Sequence, residues 1–140
     1  MKKFSATRDS FVEQETLLPS LKAGDLIEFE RGKYRHWAMY YDNGYVINIS
    51  AEDKSKTKAE ITLQKLVEVA NSVPSKRLVR VNNKEKSAIK NNLKARPVED
   101  SLREAKSMVG TFVPYNFLGT NCEYYCTKWK YGIGLCDQVI

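Results

Sequence analysis

The sequence predicts an α+β domain, and three observations carry that expectation. Three strand-like runs separated by turns fill residues 26–50. Helical periodicity comes later, clearest over 97–109 and 121–130. Strands grouped ahead of helices favour an antiparallel sheet with helices packed on it. The third observation is size: 140 residues, 42% hydrophobic and 29% charged, give one domain with a real core and no room for a second large one. Residues 1–20 read as a polar leader closing at Leu17-Leu18-Pro19, and residues 21–140 as the single domain.

Gly24-Asp25 is a turn opening the strand Leu26-Ile27-Glu28-Phe29-Glu30, whose alternation sets Ile27 and Phe29 opposite Leu26 and Glu28. Arg31-Gly32-Lys33 turns the chain into His36-Trp37-Ala38-Met39-Tyr40-Tyr41, an aromatic strand. Asp42-Asn43-Gly44 is a hairpin turn, because Asn-Gly accepts positive φ at both central positions. Tyr45 to Ser50 returns as the partner, completing an antiparallel meander. Ala51–Lys58 is a mobile lysine-rich loop, Glu60–Thr62 a short strand, and Leu63–Ala70 a short helix by the spacing of its apolar positions. Arg77–Val81 is a further strand, followed by an Asn/Lys-rich loop through Lys94. Pro97–Val109 is a helix with Glu99 and Asp100 in its first turn, Gly110 as its stop, and Leu102, Ala105, Met108 and Val109 as its buried stripe. Tyr115–Gly119 is a loop, and Asn121–Lys130 a last helix ending near Gly132.

Charge and cysteine content narrow the chemistry. The net charge is +6, but it is concentrated: Lys54–Arg96 holds twelve Lys/Arg against three Asp/Glu, so the remainder is slightly acidic. Such a stripe attracts phosphate, on nucleic acid or on anionic lipid, unless it is simply a solvated face. Three cysteines confined to residues 122–136 do not make a disulfide framework, and no apolar run follows Met1-Lys2-Lys3. No stretch approaches the roughly 20 apolar residues of a membrane-spanning helix. These features lead us to expect a cytoplasmic protein, with any membrane contact peripheral. One histidine excludes multi-histidine metal sites and two-histidine mechanisms. If histidine does chemistry here, it is His36.

Cys122 is the candidate nucleophile. Asn121-Cys122 opens a predicted helix, where the macrodipole would lower a thiol pKa and free backbone N–H groups could hold an oxyanion. A free cysteine is more often a small buried hydrophobe; that is the expected role of Cys126, one turn later. A cysteine base needs an imidazole in reach and a third group to orient it. His36 and Asn48 lie at similar distances from the Asn43-Gly44 turn, opposite or near-diagonal on paired strands. A lone histidine is usually structural, but an asparagine inside the apolar run Val46-Ile47-Asn48-Ile49 must bond to something.

Several segments together resemble the lecithin:retinol acyltransferase-like (H-box/NC) family, in its phospholipase A and acyltransferase branch. Gly24-Asp25-Leu26-Ile27-Glu28-Phe29 resembles its opening strand, and Tyr34-Arg35-His36-Trp37-Ala38-Met39-Tyr40 its H-box. Asp42-Asn43-Gly44-Tyr45-Val46-Ile47 matches the turn and next strand, and Val81-Asn82-Asn83-Lys84 a shared strand end. Asn121-Cys122-Glu123 matches the NC motif, and Tyr131-Gly132 with Asp137-Gln138-Val139 the tail. The resemblance runs from about Gly24 to Val139, and its specificity lies in the order and spacing of these pieces.

The resemblance implies a circularly permuted papain-like (NlpC/P60-type) α+β fold, with an antiparallel sheet of about four strands or more and about three helices. It implies a thiol mechanism with Cys122 as nucleophile, His36 as general base and Asn48 orienting His36. The Cys122 backbone N–H would be the first oxyanion donor. An acyl-Cys122 thioester formed from a phospholipid would be hydrolysed (phospholipase A1/A2 action) or passed to an acceptor, with no metal or organic cofactor. The partner would be a phospholipid at a membrane surface. Two positions depart from the family: its usual second histidine is Asn48 here, and the residue after Asn-Cys-Glu is Tyr124 rather than histidine. Members often carry a hydrophobic anchor beyond the Asp-Gln-Val segment, whereas this sequence runs to Ile140, as in a soluble relative or one whose anchor has been removed. Some picornavirus 2A proteins share both motifs, so a viral or divergent animal member fits the same pattern. A second reading is an idle H-box/NC binding protein acting through Lys54–Arg96 on RNA or anionic membrane. A third is a cysteine protease on the same permuted fold.

Overall fold

Alternation of side chains along the strands sorts the core into two layers. A computed structural model describes residues 8–50, 58–114 and 118–137. In chain order they form α1 (Gln14–Leu17) with a 3-10 turn at Leu18–Ser20, β1 (Leu26–Glu30), β2 (Arg35–Asp42), β3 (Tyr45–Ser50) and β4 (Lys58–Lys65). There follow α2 (Leu66–Asn71), β5 (Val79–Val81), α3 (Glu85–Lys90), α4 (Val98–Ser107), β6 (Phe112–Pro114) and α5 (Leu118–Tyr131). The six strands make one antiparallel sheet in the order β5-β1-β2-β3-β4-β6. This is the α+β, papain-like arrangement in permuted order, with the histidine strand early and the cysteine helix last.

The predicted meander is present. Asn43 and Gly44 both take positive φ, 51° and 82°, as a two-residue turn between right-twisted strands requires. One face of the sheet carries Leu26, Trp37, Met39, Ile47, Ile49 and Ile61, packed with Cys122, Cys126 and Trp129 of α5. The other carries Ile27, Phe29, Ala38, Tyr40, Val46 and Val79, packed with Leu17 and with Leu66, Val69 and Ala70 of α2. The predicted leader joins this second layer from Val12 on: Val12 pairs with Val79, and Leu17 is buried.

Local expectations differ from the structure where a pairing partner or a burial decided the outcome. Leu63–Lys65 is not helical: β4 stays in register with β3 as far as Tyr45↔Lys65, so the helix begins only at Leu66. The ladder overrides a helical spacing that short runs cannot settle. The loop through Lys94 contains α3, whose Ala88 is buried. The strand predicted at Arg77 is limited to Val79–Val81 by its partner β1. β6 escaped prediction because three residues carry no period; it exists by pairing with Lys58–Glu60. The predicted Pro97–Val109 helix is Val98–Ser107, with Pro97 as its N-cap, and Ser101 joins Ala105 in facing the core. The last helix starts at Leu118, so Leu118 and Gly119 are helical rather than loop. The expected mobile loop at 51–58 lies, except for Lys58, outside the described residues, as do Tyr115–Phe117 of the predicted loop before α5.

Candidate active site

The site forms where the sheet splits. β1 and β2 pair as far as Glu30↔Arg35, and β3 and β4 as far as Ser50↔Glu60. The β2–β3 ladder stops at Ala38↔Asn48, three residues short of Arg35 on β2 and two short of Ser50 on β3. His36 and Asn48 therefore share a face but are diagonal, not opposed. Asn48 reaches across the end of the ladder, and its Oδ1 lies 2.8 Å from His36 Nε2. Cys122 belongs to the opposite layer. Its sulfur sits 3.2 Å from His36 Nδ1 and 3.9 Å from the Ile49 carbonyl oxygen. The three residues singled out in the sequence are thus contiguous and all buried, at 5% exposure for His36, 3% for Asn48 and 1% for Cys122.

Electrostatics set the resting protonation state. Burial pushes the Cys122 thiol up to about 12; the Trp37 and Ile49 backbone and the Arg31 guanidinium oppose it without prevailing. Burial pulls His36 down to about 4; the Asn48 hydrogen bond opposes this and Arg31 adds to it. Both shifts favour a neutral thiol beside a neutral imidazole. This corrects the expectation of a thiolate made by a helix terminus. Cys122 is the fifth residue of α5, and the dipole's influence fades within the first turn. Desolvation is the larger effect at this depth. The same placement puts the Cys122 N–H beyond the first four amides, which alone lack an intrahelical acceptor.

With His36 neutral, the Nε2 proton is donated to Asn48 Oδ1, and the Nδ1 lone pair faces the sulfur. Asn48 Nδ2 donates in turn to Gln64 Oε1 at 3.0 Å and Thr62 Oγ1 at 3.2 Å, both on β4. Neither residue was visible as functional in the sequence; Gln64 lies in the stretch that reads as helix. The Phe29 ring packs against the His36 ring, centroids 5.3 Å apart and planes tilted by 58°. Arg31 packs over Phe29 and is held by the carbonyls of Lys76 and Val69, both at 2.6 Å. A cleft of about 220 Å³ opens beside His36 and Asn48, lined also by Arg31, Tyr34, Gln64 and Glu68 among others; Cys122 lies behind His36 and is not part of its lining. A larger cavity, about 740 Å³, lies on the far side of β1 around Arg8, Lys22, Arg80 and Lys84 and contains none of the three residues.

The residue after the cysteine anchors α5. Glu123 is 1% exposed and accepts from Lys84 Nζ at 2.7 Å, while Lys84 also reaches Asp137 at 2.6 Å. Burial alone would lower the Lys84 pKa, but the Asp137 and Glu123 carboxylates prevail and hold it above its ordinary value. Much of the basic segment is engaged in such contacts: Arg77 with Glu13, Arg80 with Glu28, Arg96 with Glu104. Cys126 is buried in the apolar layer, as expected, and Cys136 is exposed. Among the described residues no cluster of three or more His, Cys, Asp or Glu could hold a metal, and no helix is long and apolar enough to cross a membrane.

Comparison with known proteins agrees with the motifs. The model of the lecithin retinol acyltransferase family matches residues 19–134. Human phospholipase A and acyltransferase 4 is 33% identical over 126 residues, covering 84% of this chain and 74% of its own length. Human phospholipase A and acyltransferase 1 is 35% identical over 126 residues, covering 82% and 70%. Mouse phospholipase A and acyltransferase 3 is 30% identical over 126 residues, covering 87% and 78%.

Proposed function

The chain belongs to the lecithin retinol acyltransferase family, and from that premise we propose that it is a cysteine-dependent phospholipid acyl hydrolase and acyltransferase. The observation that carries the proposal is the 3.2 Å approach of Cys122 Sγ to a His36 Nδ1 whose opposite nitrogen is bonded to Asn48. That is the relation of nucleophile, base and orienting group used in acyl transfer.

The chemistry starts from the neutral pair. As Sγ attacks an ester carbonyl of the phospholipid, His36 Nδ1 takes the thiol proton. The tetrahedral intermediate collapses by breaking the C–O bond to the glycerol oxygen, which leaves with the proton from the imidazolium. The product is lysophospholipid, and the acyl group remains on Cys122 as a thioester. Water, deprotonated by Nδ1, then attacks the thioester and releases fatty acid; an amine or hydroxyl acceptor in its place receives the acyl group. Proton transfer coupled to attack suits a pair whose resting ion-pair form is disfavoured by burial.

The cleft is smaller than the roughly 300–1,000 Å³ of pockets that enclose drug-sized ligands. A two-chain lipid would therefore present its ester to the cleft while its chains stay in the bilayer, which makes the protein a peripheral, interfacial enzyme. Intact mass after incubation with phosphatidylcholine vesicles tests the proposal. The expected result is an added acyl mass on the wild type, absent from Cys122→Ala with its fold intact. Continued phospholipid cleavage by Cys122→Ala would overturn it.

A further inference from the structure

Two β4 residues that no motif marks bond to the end of Asn48 turned away from the imidazole, and one of them, Gln64, also lines the cleft. We propose that Gln64 and Thr62 are positioning residues that fix the tautomer of His36 through Asn48. The proposal rests on His36 acting as the base for Cys122.

An asparagine amide has two ends of nearly equal size and opposite hydrogen-bonding character. With Oδ1 toward His36, it accepts the Nε2 proton and leaves the Nδ1 lone pair for the thiol. Turned over, it would offer N–H to Nε2, and the ring proton would move to Nδ1, against the sulfur. An imidazole protonated at Nδ1 cannot take the thiol proton. Nothing in the His36–Asn48 pair itself selects between these arrangements; the neighbours of the other amide end do.

Thr62 faces Asn48 directly in the β3–β4 register, and Gln64 is two residues further along the same face. The Thr62 hydroxyl donates to Gln64 Oε1 at 2.8 Å, a much closer approach than its 3.5 Å from the Asn48 carbonyl. With its proton committed there, the hydroxyl offers only lone pairs to Asn48 Nδ2. Gln64 Oε1 is itself an acceptor at 3.0 Å. Both neighbours of Nδ2 therefore accept, and turning the amide over would set the buried Asn48 Oδ1 against two half-buried acceptors. An amide oxygen facing two acceptors is costly, so that arrangement is disfavoured as long as Gln64 keeps Oε1 toward Asn48. The donations run outward from the nucleophile, from Cys122 to His36 to Asn48, and end on Gln64 Oε1, which also accepts from Thr62.

Because His36 is the only histidine in the sequence, ¹⁵N-histidine labelling reports one imidazole. The wild type at neutral pH should show the Nε2–H tautomer. Thr62→Val/Gln64→Leu should show Nδ1–H signal, with acyl-enzyme formation slowed about tenfold or more at unchanged KM, in the direction of the ~10⁴-fold that a wrong tautomer costs a serine triad. Gln64→Glu, which keeps an acceptor at the same place, should retain Nε2–H. In an Asn48→Asp background, where the orienting group has no N–H end to misplace, adding Gln64→Leu should leave tautomer and rate within about twofold of Asn48→Asp alone. An unchanged tautomer in the double variant, Nδ1–H in Gln64→Glu, or an equal Gln64→Leu effect in both backgrounds would each overturn the assignment. A wild type that forms no acyl adduct would sink the acyl-transfer mechanism instead, while the imidazole spectrum would still decide the positioning role.

Discussion

The two faces of the sheet prepare the two reacting groups in different ways. Toward α4 and α5 the sheet is dry: Trp37, Met39, Ile47, Ile49 and Ile61 enclose Cys122 and Trp129. Toward α1 and α2 it is apolar only in part; beyond Ala38 and Val46 it gives way to Asn48, Thr62 and Gln64, with Arg31 at the cleft. The dry face supplies burial, which keeps the proton on sulfur. The polar face supplies directed hydrogen bonds, which aim the imidazole lone pair. The early end of the β2–β3 ladder is what lets a side chain from each face touch the other. A nucleophile and its base on opposite sides of one sheet can be shielded and oriented independently.

The largest expected effect tests whether the two faces act as a unit. His36→Ala should reduce acyl-enzyme formation by about as much as Cys122→Ala does, at least ~10³-fold, because members of such a unit are not additive. Single-turnover rates would show it, and a modest loss in His36→Ala would separate the faces. Next, stability should depend more on the buried aromatic of the dry face than on the polar network beside the cleft. Trp129→Ala should cost about 3–5 kcal/mol in urea unfolding by removing a fully buried aromatic, whereas Thr62→Val should cost about 1–2 kcal/mol, the net worth of two half-buried hydrogen bonds. Similar costs at the two positions would erase the distinction.

A pH titration of stability isolates the histidine side. His36 has a folded pKa of about 4 against an ordinary 6.5, so below 6.5 the unfolded chain binds a proton that the folded chain resists. Its contribution is present above pH 6.5 and is lost as pH falls toward 4, at up to about 1.4 kcal/mol per pH unit. His36→Gln should flatten that slope in denaturant midpoints measured from pH 7 to 4. The same shifts predict kcat/KM that is flat from about pH 5 to 9, since the base stays neutral and the thiol protonated throughout. A bell centred near neutrality would instead report a preformed ion pair. The smallest expected effect is that of Asn48→His, which keeps a side chain able to orient the imidazole: initial rates on phosphatidylcholine vesicles should stay equal or rise. A large loss there would show that position 48 does not orient the base.

Much of this protein was legible one residue at a time. The Asn43-Gly44 turn set the hairpin, the alternation in β1 to β3 assigned side chains to faces, and the sole histidine, the NC cysteine and Asn48 stood out by rarity and place. The order of those motifs also carried the family. Each is a local signal, fixed by φ preference, by a period of two, or by residue type. What only the tertiary structure decided is non-local: where the β2–β3 ladder ends, that Leu63–Lys65 extends β4 and so delivers Gln64 to Asn48, and that β6 exists at all. The state of Cys122 is of the same kind. A helix start near Asn121 argued for a thiolate, but a pKa is set by everything packed around the group, and α5 seats this sulfur one turn deep in an apolar layer where desolvation outweighs the dipole.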